Sequence, residues 1–286
     1  MSSRAHVPSL FVDNLTVIDF TYLHAERGLV GESWIVDIEL HGALDEQGMV
    51  LDFGDVKKSL KREIDRLTDH RLVLPNAMPG LQVSELPDDN LRIEYEGGSC
   101  GRICVECPPV AVLRLALAEI DRGGMQAFLV TRLRAVVPPN VERIVVHLRA
   151  EAIDGPYYHY SHGLKKHDGA CQRIAHGHRS RLVIEEDGVR STALEERWAA
   201  LFKDIYIGST EDLGYTPNPG HLRFNHVSGE GRFSLELPRR KVYLIDTDST
   251  VELIAQHIYN ALKRTHPERN YRVKAYEGVG KGAIVR

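Results

Sequence analysis

The feature that most constrains this chain is that it repeats itself. The segments AVLRLALAEIDRGGMQAFLVTRLRAVVPPNVERIVVHLRAE (111–151) and KVYLIDTDSTVELIAQHIYNALKRTHPERNYRVKAYE (241–277) share one pattern of strand, helix and strand. The near-constant offset pairs Glu151 with Glu277, and self-similarity of this kind marks a tandem duplication. The rest of each half obeys the same order. LTVIDFTYLHA and SWIVDIELHG read as strands, and DFGDVKKSLKREIDRLTDH reads as a helix, because Val56, Leu60, Ile64 and Leu67 recur at helical spacing. NLRIEYEGGSCGRICVEC then reads as a hairpin. In the second half YYHYSHGL and HRSRLVIEEDG are the strands, ALEERWAALFKDI the helix, and HLRFNHVSGEGRFSLELPRRKVYLID the hairpin and strand. Two modules are expected, 1–151 and 152–286, linked at AIDGPYY. At roughly 100–150 residues per domain, the length of 286 agrees. The class expected is α+β, an antiparallel sheet carrying helices on one face.

Charge and composition narrow the partners. With 36 basic against 40 acidic side chains, the net charge of -4 gives no electrostatic case for nucleic acid. No stretch approaches the roughly 20 apolar residues of a membrane span, and the opening octapeptide MSSRAHVP has no signal-peptide core, so the cytoplasm is the expected location. Three of the four cysteines, Cys100, Cys104 and Cys107, crowd onto one strand, which argues for free thiols rather than a disulfide framework. Histidine is the unusual count: of fourteen, His159, His162, His167, His176 and His178 fall within twenty residues.

Two of these sit in His176-Gly177-His178, a spacing that points both imidazoles to one face of a strand while the glycine leaves the opposite face open. His162, on the preceding strand, would complete a facial set of three neutral nitrogen ligands. Three histidines with a vacant fourth position is the arrangement of catalytic zinc, since structural zinc sites are closed by four protein ligands. The bland alternative is polar histidines on a wet β-surface. Cys171 lies between His162 and the pair, where a nearby cation would favour the thiolate as base or nucleophile. Taken alone, it is a small buried hydrophobe.

The string YHYSHGLKKHDGACQRIAHGH resembles the 6-pyruvoyl-tetrahydropterin synthase and 6-carboxy-tetrahydropterin synthase family, whose pattern is an aromatic strand with a histidine, a cysteine, then His-Gly-His. In the first half, GMVLDFGDVKK and LTDHRL resemble further stretches of the same family. The resemblance implies two tandem tunnelling-fold (T-fold) modules that close into a barrel by oligomerisation. It also implies Zn2+ on His162, His176 and His178, Cys171 as catalytic thiolate, and Asp69 with His70 for proton transfer. Glu277 or its counterpart Glu151 would anchor the pterin ring. The implied reaction is a zinc-dependent lyase conversion of 7,8-dihydroneopterin triphosphate to a 6-pyruvoyl- or 6-carboxy-tetrahydropterin. A homo-oligomer follows from the same resemblance, a dimer preferred over a trimer.

Each half departs from the family where the other conforms. The alignment keeps His24 but puts Val30 and Glu32 where the His-Gly-His pair belongs, and the helix ALEERWAALFKDI is followed by no Asp-His. One composite site per chain is therefore expected, with zinc and Cys171 from the second module and Asp69 and His70 from a first module of the same or a partner chain. The alternatives are a non-catalytic pterin- or purine-binding protein and a T-fold enzyme acting on another heterocycle. Three competing motifs are set aside. Cys100, Cys104 and Cys107 match an iron–sulfur spacing but lie on a strand. EGVGKGA follows the last expected strand and opens no helix. PRRK (238–241) reads as a solvated turn, or as a contact for a substrate triphosphate.

Overall fold

The structure, a computed structural model, describes residues 9–286 apart from 45 and 47, so the opening octapeptide lies outside the described residues. The first repeat runs β1 (Ser9–His24), β2 (Gly28–Gly42), α1 (Phe53–Thr68), β3 (Leu72–Pro75), β4 (Gln82–Glu85), β5 (Leu91–Gly97), β6 (Gly101–Cys107), β7 (Val112–Leu115), α2 (Arg122–Leu133) and β8 (Val141–Ala150). The second runs β9 (Tyr157–His162), β10 (His176–Glu186), β11 (Val189–Arg190), α3 (Thr192–Leu201), β12 (Ile205–Ser209), β13 (Leu213–Gly214) and β14 (His221–Ser228). It ends with β15 (Gly231–Pro238), β16 (Val242–Ile245), α4 (Val251–Thr265), β17 (Tyr271–Tyr276) and β18 (Gly282–Val285). β18 is a strand the sequence reading did not anticipate: the glycine-rich turn after β17 reverses the chain into a hairpin, pairing Ala275 with Ala283.

Two compact units form, and they cut across the repeats. The first comprises residues 9–18, 34–69 and 121–151. Within it β2 and β8 pair antiparallel from Trp34↔Ala150 to Leu40↔Ile144. Helix α1 opens on Asp52, whose side chain accepts from the Gly54 amide, and buries Leu60, Ile64 and Leu67 as their spacing requires. Helix α2 opens on Asp121, which accepts from Gly124, and buries Met125, Leu129 and Leu133 along one stripe.

The second unit comprises Asp19–Ser33, His70–Ile120 and residues 152–286. Here the antiparallel expectation gives way to mixed sheets. The end of β1 pairs parallel with β3 through Thr21↔Leu72 and Tyr22↔Val73, and β3 pairs parallel with β7. The second repeat does the same, β12 pairing parallel with both β9 and β16. β3 and β12 escaped the sequence reading because four or five buried residues such as LVLP carry no alternation to read. β9, β10, β17 and β18 continue antiparallel in one seven-stranded sheet. Helices α3 and α4 cover it, packing Trp198, Phe202, Ile254, Ile258 and Leu262 with Tyr158, Leu182, Ile184 and Val273.

A six-stranded antiparallel sheet, β13-β14-β15-β6-β5-β4, draws three strands from each repeat. β6 meets β15 at Cys104↔Glu236, Val105↔Leu235 and Glu106↔Ser234. One core, including Ile103, Val105, Cys107, Phe224, Phe233 and Leu235, is thus built from both repeats. Cys100, Cys104 and Cys107 are buried free thiols, and burial pushes Cys107 up to about 12. They act as core residues, not as cluster ligands. The PRRK turn is tied down from within: Arg240 donates to Ser99 O (2.9 Å) and Lys241 to Arg27 O (2.9 Å).

Candidate active site

The antiparallel register of β9 and β10 places His162 directly opposite His176, with His178 two residues on and therefore on the same face. The three rings lie 4.4–5.7 Å apart by centroid. One nitrogen from each falls within a 4.8 Å cluster, and all three side chains are buried. Each Nδ1 faces an oxygen. His162 Nδ1 lies 2.9 Å from Ser249 O, His176 Nδ1 2.9 Å from Arg173 O, and His178 Nδ1 3.2 Å from Asp19 Oδ1. A proton on each Nδ1 leaves three bare Nε2 atoms. His176 Nε2 is buried without a hydrogen-bond partner, and the Nε2 atoms of His162 and His178 face each other at 3.2 Å. Two bare lone pairs at that distance need a cation or a proton between them. The donor set therefore fits a metal, and the oxygens on Nδ1 are the outer partners such ligands take. Burial first, then the neighbouring imidazoles, holds His162 and His176 well below the ordinary histidine range, in the neutral form that ligates.

The face opposite the two histidines is not open. A Cβ on Gly177 would stand 2.3 Å from Tyr160 O and 2.8 Å from the Cα of Gly31, so the glycine serves close backbone packing.

Cys171 sits on a single 3-10 turn, Ala170–Gln172, between β9 and β10, and its carbonyl accepts from the Leu164 amide at 2.9 Å. His70 follows α1 in the left-handed region, φ 55°, its amide donating to Asp19 O at 2.6 Å. The His70 ring comes 5.0 Å from that of His176, and His70, Cys171 and His176 form a second cluster within 4.8 Å. Arg173 steadies both segments, donating to His70 O and making paired 2.8 Å bonds to Glu230. Glu277, just past β17, brings Oε1 to 3.9 Å from His178 Nε2. One chain thus gathers His70 from the first repeat with Cys171, His162, His176, His178 and Glu277 from the second. Asp69, the C-cap of α1, and Glu151, just past β8, belong to the other compact unit.

The degenerate counterpart is legible in the register. Leu72 pairs with Thr21 and Val112, and Tyr206 pairs with Ser161 and Val242, so Thr21 corresponds to Ser161 and Tyr22 to His162. The Thr21 and Ser161 hydroxyls are 2.8 Å apart. The first-repeat counterpart of His162 is therefore Tyr22, beside the Val30 and Glu32 of the sequence alignment, and His24, kept by that alignment, lies two residues beyond. His24 Nδ1 is occupied by the Glu26 and Arg27 amides. Asp204, φ 54°, takes the place of His70, donating its amide to His159 O and pairing twice with Arg27 at 2.6 and 3.0 Å.

Sequence reasoning missed Asp19 and Ser33. Asp19 is buried; burial alone would raise its carboxyl, but His178, Lys281 and Ser33 outweigh that and hold it well below the usual carboxylate range. A lone aspartate inside the apolar run VIDF was the available signal.

The family model for 6-pyruvoyl tetrahydropterin synthase matches twice, at residues 18–152 and 156–286. Among solved structures, the chain is similar to 6-pyruvoyl tetrahydropterin synthase from Plasmodium vivax at 18% identity and TM-score 0.39, over 51% of this chain and 99% of that one. It is similar to the Plasmodium falciparum enzyme at 16% identity and TM-score 0.38, over 49% and 90%. No curated protein matches. On the double match across most of its length, the chain belongs to the 6-pyruvoyl tetrahydropterin synthase family, as a tandem duplication of its T-fold module.

Proposed function

We propose that this protein is a zinc-dependent lyase acting on 7,8-dihydroneopterin triphosphate, with one composite site per chain. The observation that carries the reading is the convergence of three bare Nε2 atoms beside Cys171 and His70. Zinc held by His162, His176 and His178 would supply Lewis acidity toward the oxygens of the substrate side chain. Cys171, at the edge of that cluster, takes the proton from the acidified carbon. His70, oriented by Asp69, passes a proton to the departing or reforming oxygen. Glu277 accepts the paired N–H donors of the pterin ring and sets the side chain against the metal; Glu151 is the alternative anchor. Triphosphate leaves, giving a 6-pyruvoyl-tetrahydropterin, or, with loss of a two-carbon fragment of the side chain as well, a 6-carboxy-tetrahydropterin.

Metal analysis and product analysis on the same preparation test this. Wild type should carry zinc and release triphosphate from 7,8-dihydroneopterin triphosphate, and His176→Ala should lose both. Zinc and pterin binding without turnover would instead support the second reading, a non-catalytic binder, which the replacement of the first-repeat ligands by Tyr22, Val30 and Glu32 favours. Turnover of another heterocycle alone would make it a T-fold enzyme of different substrate.

The same reading has the chain assemble as a homo-oligomer, two chains alternating their modules in preference to three. Closure in this way removes open sheet edges. A solution mass of one chain at micromolar concentration would contradict it.

A further inference from the structure

We infer that Asp19, from the first repeat, is the positioning residue that fixes His178 as a metal ligand of the second repeat. The inference rests on the reading that His162, His176 and His178 hold a metal. Two of those rings are steadied by neutral main-chain carbonyls, Ser249 O and Arg173 O. His178 is different: no carbonyl takes its Nδ1, which instead lies within ion-pair distance, 3.2 Å, of a carboxylate oxygen, Asp19 Oδ1. An imidazole that ligates through Nε2 keeps its proton on Nδ1, and a carboxylate there both orients the ring and strengthens it as a donor.

Asp19 is itself held from several directions. The Ser33 hydroxyl donates to its Oδ1 at 2.5 Å, while Ser33 Oγ accepts from the amide of Arg179, the residue after His178. Lys281 Nζ reaches Oδ2 at 3.3 Å from the turn that carries Glu277. That turn can lie so close because Gly278, φ +67°, has no Cβ; one built there would stand 2.5 Å from Asp19 Oδ1 and 2.9 Å from Ser33 Oγ. β1, β2, β10 and the β17–β18 turn thus meet at this carboxylate.

The duplication offers a comparison for the pairing. By the strand register Asp19 corresponds to His159, and in the sequence alignment Glu32 stands where the other repeat has His178. The degenerate site keeps only a looser version with the partners exchanged: His159 Nδ1 is bonded to Gly31 O at 2.7 Å, and Glu32 Oε2 stands 3.9 Å from it. A carboxylate lies near an imidazole in both places, but only Asp19 offers the nearest oxygen to the Nδ1 it approaches. The first repeat, which cannot hold a metal in the same way, thereby keeps a role in the site of the second.

The test measures zinc affinity by chelator competition, and the d–d spectrum of the cobalt(II)-substituted protein, for wild type, Asp19→Asn, Asp19→Ala and His176→Ala. Asp19→Ala should weaken zinc about 10–100-fold. Asp19→Asn keeps an oxygen facing Nδ1 but not its charge, so it should fall between and shift the cobalt bands. Should Asp19→Ala fail to fold, the isosteric Asn variant decides alone. His176→Ala separates the two claims: if it binds zinc as wild type does, the metal reading fails whatever Asp19 does. If His176→Ala loses zinc while folded Asp19 variants keep wild-type affinity and cobalt spectrum, the inference about Asp19 is overturned.

Discussion

His159, His162 and His176 show how burial sets the acid response of this protein. Burial leads in holding each below its ordinary range, His159 to about 4. The unfolded chain, whose histidines titrate near about 6.5, binds protons that the folded one refuses. The stability these groups contribute is therefore fully present above pH about 6.5 and is lost as pH falls from there toward the folded values, at up to about 1.4 kcal/mol per pH unit for each group. Urea unfolding of the metal-free protein should show midpoints that drop from pH 7.5 to 6 to 5. A midpoint constant over that range would mean that the histidines are not held neutral. The same acidification should release metal, since protons and zinc compete for the same nitrogens.

The decisive element is the β9–β10 hairpin, and its packing depends on two glycines. Gly31 on β2 and Gly177 on β10 approach so closely that a Cβ on Gly31 would stand 1.8 Å from Tyr160 O and 2.5 Å from the amide nitrogen of His178. Backbone cannot yield as a flexible side chain would. Gly177→Ala should cost about 1–3 kcal/mol or more and loosen the spacing of His176 and His178. Thermal unfolding and zinc affinity would both register it, and a variant with wild-type values for both would contradict the close packing. The hairpin was legible in sequence because His-Gly-His declares a strand face and amphipathic helices such as α1 and α4 declare their period. The parallel strands β3 and β12 were not, since short buried runs lack alternation. The link of Asp19 and Ser33 to the site was not legible either, because His178 and Arg179, which they reach there, lie more than a hundred residues away and only the fold brings them together. The two-residue slip from His24 to Tyr22 has the same origin: a histidine in sequence attracted the alignment, whereas strand register decides which side chain faces the site.

At the scale of the whole molecule, duplication has let the two repeats specialise. His70 from one and Cys171 and the histidines from the other meet in a single chain. Cys171→Ala and His70→Ala should each abolish turnover while retaining zinc, and the double variant should lose little more than either alone. Mixing the two inactive variants should restore nothing, because His70, Cys171 and the three histidines are gathered within each chain; recovery of activity would place the site between chains instead. The central claim, that the second repeat alone keeps the three-histidine set, is tested most directly by counting metal per chain. Elemental analysis of the purified protein against its concentration should give about one zinc per chain, vanishing in His176→Ala and unchanged in Val30→Ala or Glu32→Ala. Two zincs per chain, or one that survives His176→Ala, would contradict it.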